Sequence, residues 1–296
     1  MFTWKQNTSY ETGTMTQYLR AQYNLNDPAC ISIIDDLPFW SAPFGIKLLD
    51  IVRYKKNIHA LDIGFGLGFP LIELAMRLGP SSKVYGIDPW KAGVERTQLK
   101  LKYADVQNVE LIEGFAETMP FENNFFDLII SNNGLNNVQD LTKVLTECNR
   151  VSKMTAQFVF TFNTNRTFIE LYDVFREVLR EHGLRECEEK IDAHIYSKRK
   201  PLSEFKDVLG ATGFLIRAIH EDEFTYRFSD GTSMFNHFSM KLAFMEAWKE
   251  IVPASFQDEI FKQIEDKMNR RAERNQGFAM RVPFVTMDCE KTKQIT

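Results

Sequence analysis

Cysteine is scarce in this 296-residue chain: Cys30, Cys148, Cys187 and Cys289 lie far apart, and no two form a C-x-x-C pair. That spacing argues against a structural zinc site and against a disulfide framework, and no metal is expected. Long apolar runs are missing as well. No uninterrupted apolar segment reaches the roughly 20 residues that cross a bilayer, and residues 1–8 lack the apolar stretch of a signal peptide. A soluble, reduced, cytoplasmic protein without a membrane span is expected. Basic residues are not in excess, with 36 Lys and Arg against 40 Asp and Glu and a net charge of -4. The runs Lys198-Arg199-Lys200 and Arg270-Arg271 are short and read as solvated faces. General affinity for polyphosphate or anionic membrane is therefore disfavoured, because such binding rests on clustered positive charge. Glycine and proline, at 15 and 10 residues, are too few for a collagen-like or low-complexity chain, and no repeat is present.

What the chain does have is core-forming material: 44% of its residues are hydrophobic and 13% aromatic. A chain of this length can bury roughly three-quarters of the surface its unfolded form exposes. Short apolar runs at 60–63, 84–87, 109–112, 126–130 and 158–162 alternate with helical stretches at 70–78, 91–104, 137–151 and 166–182. A short helix at 46–54 precedes them. Strands alternating with helices imply βαβ units and a parallel sheet with right-handed crossovers. Beyond them the pattern predicts a helix over 202–213, a strand over 214–219, helices over 234–252 and 255–274, and a closing strand over 278–286. Pro283 in that last strand suggests an edge or a bulge.

The sharpest local signal is Leu61-Asp62-Ile63-Gly64-Phe65-Gly66-Leu67-Gly68-Phe69-Pro70. Three glycines after a strand permit a tight turn and close approach of backbone to ligand, and Pro70 suits a first helical position. Open α/β sheets bind ligands at such strand ends. The nicotinamide fingerprint G-x-G-x-x-G would need glycine where Phe69 stands. Asp62 at the strand end would repel a diphosphate and suit a sulfonium or an ammonium. Asp88, in Ile87-Asp88-Pro89-Trp90 at the end of the second strand, lies about twenty residues past the loop, where an acid accepts ribose hydroxyls. Trp90 is placed to cover an adenine face. Ribose with positive charge and without phosphate describes S-adenosylmethionine.

On these residues the chain resembles the class I S-adenosylmethionine-dependent methyltransferases, in the small-molecule branch that includes the quinone methyltransferases. The resemblance extends roughly over 40–219 and to the last strand. Residues 113–121 are similar to the family's adenine-lining segment, 125–133 to its fourth strand and the loop beside the reacting methyl, and 205–214 to its late helix-to-strand turn. It implies a Rossmann-like, doubly wound, mostly parallel seven-stranded sheet with an antiparallel last strand. It also implies cofactor contacts from Asp62, Gly64, Gly66, Gly68, Asp88, Pro89, Trp90, Ala116 and Asn132, with Trp40 folding back over the ligand. One departure is Phe115, which occupies a position where the family commonly carries an Asp accepting the adenine amine; the ring packs on the adenine edge instead.

Topology places the segments leaving the fifth and sixth strands over the cofactor, and both are long and helical here. The expected organisation is an N-terminal helical segment over 1–56, a core over 57–165, 201–232 and 277–290, and helical lid insertions over 166–200 and 233–276. The lid screens the methyl from water and leaves His237 and Tyr226, with His194 and Tyr196 behind them, as candidate bases. The expected function is methyl transfer to a small, partly apolar metabolite at O, N, S or activated carbon. Ser131-Asn132-Asn133-Gly134 differs from the Asn/Asp-Pro-Pro-aromatic signature of adenine N-methyltransferases, so nucleic acid is not the expected substrate. An NAD-dependent oxidoreductase and a non-catalytic S-adenosylmethionine-binding module are the alternatives. No feature specifies an oligomeric state.

Overall fold

The computed structural model describes residues 16–37 and 39–295, so residues 1–15 of the expected N-terminal segment lie outside the described residues. The chain divides into two compact units. One, spanning Asn24–Glu170, Asp192–Tyr226 and Ala279–Thr296, holds the sheet. The other gathers residues 16–23 with Leu171–Ile191 and Arg227–Phe278.

Seven strands form the sheet: β1 His59–Ile63, β2 Lys83–Asp88, β3 Val109–Glu113, β4 Phe126–Asn132, β5 Ser152–Asn163, β6 Phe214–Phe228 and β7 Phe278–Lys291. Their order is β3-β2-β1-β4-β5-β7-β6. β1 to β5 pair in parallel and β7 runs antiparallel to β5, as expected of the family. In the sheet unit the helices are α1 Pro28–Asp36, α2 Ser41–Ile51, α3 Leu71–Leu78, α4 Lys91–Tyr103, α5 Leu141–Val151 and, later in the chain, α8 Leu202–Ala211. Between these last two come α6 Ile169–Glu181 and α7 Glu186–Lys198.

Side chains alternate across the strands and divide the core in two. Ala60, Leu128, Ile130 and Val159 face one side, against Leu48, Leu71 and Leu74 of α2 and α3. Leu61, Ile63, Ile129, Phe158 and Phe160 face the other, against Val144, Leu145, Phe205 and Leu209 of α5 and α8. Both faces are thus covered, which is why these parallel strands are apolar on both sides. The helix expected at 46–54 begins earlier, at Ser41, because Pro43 falls in a first turn, where a missing N–H breaks no intrahelical bond.

The late strands differ from their expected form. β6 continues to Phe228 and β7 to Lys291. β7 is no edge strand: it lies between β5 and β6. Pro283 is accommodated because the β5 ladder has ended. The last paired residue is Phe284, opposite Asn163, and the Pro283 carbonyl then accepts from Thr164 N at 2.9 Å.

The second unit is helical. The single helix expected over 234–252 is three short ones, α9 Gly231–Asn236, α10 Phe238–Ala243 and α11 Met245–Lys249, followed by α12 Gln257–Asn275. The breaks fall at His237, whose ψ of 133° is extended, and at Phe244. A segment apolar on several faces buries them better as short pieces than as one rod. Met234, Phe235, Met240, Met245 and Trp248 all become buried. Phe235 stacks on Tyr18 at 4.7 Å and meets Phe261 edge-on at 5.8 Å. Gly231 lies against Met268 where a β-carbon would stand 2.6 Å away, and Asn269 Oδ1 accepts from Gly231 N at 2.8 Å.

Candidate active site

The strand order reverses direction between β1 and β4, so the loops leaving those two strands part at their carboxyl ends. A cavity of about 350 Å³ opens there, lined by the ends of β1 and β2, the segment after β3 and residues 134–139 after β4. This is the crevice at which doubly wound sheets hold ligands. A larger cleft of about 820 Å³ lies at the amino edge, by residues 57–59, 79–83 and 104–108, where no such loops converge.

Local sequence sets the cavity's shape. Gly64, Gly66 and Gly68 all have positive φ, 75°, 55° and 95°. Gly64 N donates to Ile87 O at 2.9 Å, closing the first turn onto β2. Gly93 lets α4 sit directly beneath the loop, since a β-carbon there would be 2.7 Å from Gly66 O. Asp88 locks the arrangement: Gly66 N donates to its Oδ2 and Trp90 N to its Oδ1, each at 2.8 Å. Burial raises its carboxyl above the usual range, and those two N–H groups oppose the shift. Each oxygen keeps a further lone pair for a ligand hydroxyl.

A methyl added at Gly66 would meet nothing within 4 Å. Gly66→Ala should therefore fold, at a cost of about 1–2 kcal/mol for the left-handed backbone, while its methyl narrows the ligand's place. The expected result is a small fall in melting temperature with about tenfold weaker nucleoside binding, read by thermal shift and calorimetry.

Of the residues expected to bind cofactor, the structure gathers Gly64, Gly66, Asp88, Pro89, Phe115 and Ala116 around this cavity. Phe115 is 56% exposed, a ring standing open at the wall. Asp62 lies one residue below the rim, fully buried, with no partner for either oxygen. Gly68 packs on Ile72 and Thr97 behind the loop. Trp90 is adjacent, its Nε1 donating to Leu25 O at 3.2 Å. Asn132 uses its amide structurally: Nδ2 donates to Ser41 O at 3.0 Å and Oδ1 accepts from Thr161 Oγ1 at 3.1 Å. Trp40 belongs to an aromatic cluster with Phe44, Phe168 and Phe224, and is not among the lining residues.

Sequence reasoning missed Glu117, Asn137, Val138 and Gln139, all of which line the cavity. Glu117 Oε1 accepts from Gln139 N at 2.9 Å and so ties the segment after β3 to the one after β4. The available signal was Asp140, an N-cap that fixes the start of α5 through Lys143 N and with it the loop before that helix.

The candidate bases separate. Tyr226 lies at the end of the sheet unit, against Phe168 and Phe224, and burial pushes its phenol up to about 12. His237 belongs to the helical unit, edge-on to Phe228; burial, then Lys241, lowers its pKa, leaving the ring neutral at pH 7. Burial lowers His194 to about 4, and Tyr196 donates to Glu204 Oε2 at 2.9 Å.

The electrostatics are one-sided. Among the described residues, the cavity wall carries the carboxylates of Asp88 and Glu117, with Asp62 beneath, and no Lys, Arg or His. Such a wall fits a nucleoside bearing positive charge and has no side chain to balance a diphosphate. Among the described residues, no helix is long and apolar enough to cross a membrane.

Comparison with known proteins points the same way. Residues 61–160 match a family described as a methyltransferase domain. Demethylmenaquinone methyltransferase of Listeria welshimeri is 37% identical over 107 residues, 36% of this chain and 45% of that protein. Its counterpart in Anoxybacillus flavithermus is 33% identical over 157 residues, 52% of this chain and 64% of that one. The chain thus spans about half the length of the curated relatives it matches. The YcgJ protein from Bacillus subtilis shares the fold, with a TM-score of 0.58 at 17% identity over 85% of this chain and 99% of that chain. The sheet order, the G-x-G-x-G loop with its two acids and the matched segment agree: residues 61–160 match the methyltransferase-domain family, on a fold that the YcgJ protein shares.

Proposed function

We propose that the chain transfers a methyl group from S-adenosylmethionine to a small, partly apolar metabolite. The observation that carries this reading is the cavity at the strand ends, walled among the described residues by two carboxylates and no basic side chain. When bound, S-adenosylmethionine supplies an activated methyl. Asp88 would accept from the ribose hydroxyls, Phe115 would lie against the adenine, and Asp62 would balance positive charge. Gly64 and Gly66 allow close backbone approach. The protein's further task is to align the acceptor and exclude water, because the donor is already activated.

The helical insertions over 166–200 and 233–276, with the N-terminal segment, are proposed as the lid. His237, neutral at pH 7, is the proposed proton acceptor where the attacked atom is a hydroxyl or thiol. Tyr226, with its phenol near 12, stays protonated and serves better as a donor. His237→Ala should lower turnover on such an acceptor by about 10²–10⁴-fold while leaving the affinity for S-adenosylhomocysteine unchanged. Full turnover in that variant would remove the residue from the mechanism.

Identity to the demethylmenaquinone methyltransferases supports a small organic acceptor and makes demethylmenaquinone the first compound to try. A nucleic-acid acceptor is disfavoured by the net charge of -4. Residence in a reducing compartment, the cytoplasm, is supported by the free thiols of Cys30, Cys148, Cys187 and Cys289. The test is incubation with methyl-labelled S-adenosylmethionine, demethylmenaquinone and fractionated metabolites. Label in an organic product is the expected result. Cofactor binding with no transfer to any fraction would leave the non-catalytic module instead.

A further inference from the structure

A carboxyl group removed from water keeps its charge only if hydrogen-bond donors or a cation replace the lost hydration. Asp88 has such donors in Gly66 N and Trp90 N. Asp62 has none: it is fully buried in β1, opposite Gly86 of β2 and Ile130 of β4, and among the described residues neither oxygen has a hydrogen-bond partner. Its chain neighbours Ile63 and Gly64 form the cavity rim, and its carboxyl is close enough to feel the charge of Asp88, which lines that cavity.

The charged groups on the surrounding elements make matters worse for an anion. Asp88 at the end of β2 and Glu117 after β3 carry the same sign. Glu73 and Arg77 on α3 pair with each other. Lys47 on α2 is engaged by Asp222. Lys100 and Arg96 on α4 are held by Asp35, and Lys100 also donates to Leu67 O at 2.7 Å. No residue of β4 or of the segment leading to Gln139 is basic. Burial, and then Asp88, push the Asp62 carboxyl well above the usual carboxylate range.

Resting on the proposed donor, we infer that Asp62 holds a proton in the ligand-free site and yields it to solvent when a cationic nucleoside enters, so that the site selects its ligand by charge. The exchange balances: one positive charge arrives in the cavity and one proton leaves for bulk water. A positive charge entering the cavity favours the ionised form of a nearby carboxyl and so drives the exchange. A neutral nucleoside of the same shape leaves the proton in place and gains nothing from Asp62. Affinity for the cationic ligand should therefore rise with pH, by about tenfold per unit below the ligand-free pKa of Asp62, until that pKa is passed.

Calorimetry in two buffers of unlike ionisation enthalpy, at about pH 7, counts the protons exchanged. With the wild-type protein, S-adenosylmethionine should release a proton that adenosine does not. Asp62→Asn should bind S-adenosylmethionine with that release abolished; the ligand's own amino group contributes equally to both proteins and cancels. If the variant does not fold, the wild-type pH series below about pH 7, where the amino group is fully protonated, carries the test through its slope. Binding of S-adenosylmethionine with equal proton counts in both proteins, or a flat wild-type slope, would overturn the inference and leave the methyl-transfer reading standing. Failure of S-adenosylmethionine to bind at all would overturn both.

Discussion

Asp88→Ala is expected to weaken binding of S-adenosylhomocysteine by about 10–100-fold, or 1.5–3 kcal/mol, the usual cost of losing a charged hydrogen-bond acceptor. Two effects combine. The ligand loses the acceptor proposed for its ribose, and the loop loses the bonds from Gly66 N and Trp90 N, both 2.8 Å in the intact protein. Asp88→Asn separates them, since one amide oxygen can still accept while its NH₂ must face a backbone N–H or the ligand. Its affinity should fall between wild type and alanine. Calorimetric titration of the three proteins checks this, and equal affinity in all three would remove Asp88 from the site.

The second large effect is expected in the unit that contributes no residue to the cavity lining. Trp248 in α11 is fully buried, stacked on Phe244 at 5.6 Å and edge-on to Phe235 at 6.4 Å. Its Nε1 donates to the Tyr172 hydroxyl at 3.2 Å. Trp248→Ala opens a cavity in the helical unit at a cost of about 3–5 kcal/mol, a large share of the stability a domain has. All residues lining the strand-end cavity belong to the other unit. The expected outcome is an early thermal transition that removes helical signal, with S-adenosylhomocysteine affinity retained below it and methyl transfer lost. One cooperative transition, with binding and helix lost together, would show that the two units do not unfold separately.

These two residues also mark how far the amino-acid sequence could be read. Asp88 was legible because a strand end, a proline and a fixed distance from a glycine loop are local features. The parallel sheet followed from the same logic, since each short apolar run needs a crossover helix. Asp62 was legible as a charge but not as an isolated one: that no donor reaches its oxygens depends on β2 and β4, distant in sequence. Glu117 and Gln139 come together only once the loops after β3 and β4 converge. The helical unit was least legible. Apolar residues on several faces of 234–252 suit one long helix or several short ones equally well. Packing on α12 and Tyr18 decides for the short ones, and no local pattern records that packing. Pro283 misled because its position relative to the end of β5, and not its presence in a strand, determines whether a ladder bond is lost.

The central claim is that the crevice beside Asp62 and Asp88 accepts an adenosyl nucleoside without phosphate and refuses a diphosphate. It is tested most directly by titrating the protein in parallel with S-adenosylhomocysteine and NADH and repeating the first titration with Asp88→Ala. Saturable binding of S-adenosylhomocysteine that the substitution weakens, with no response to NADH, is the expected result. Tight binding of NADH by a protein indifferent to S-adenosylhomocysteine would contradict it.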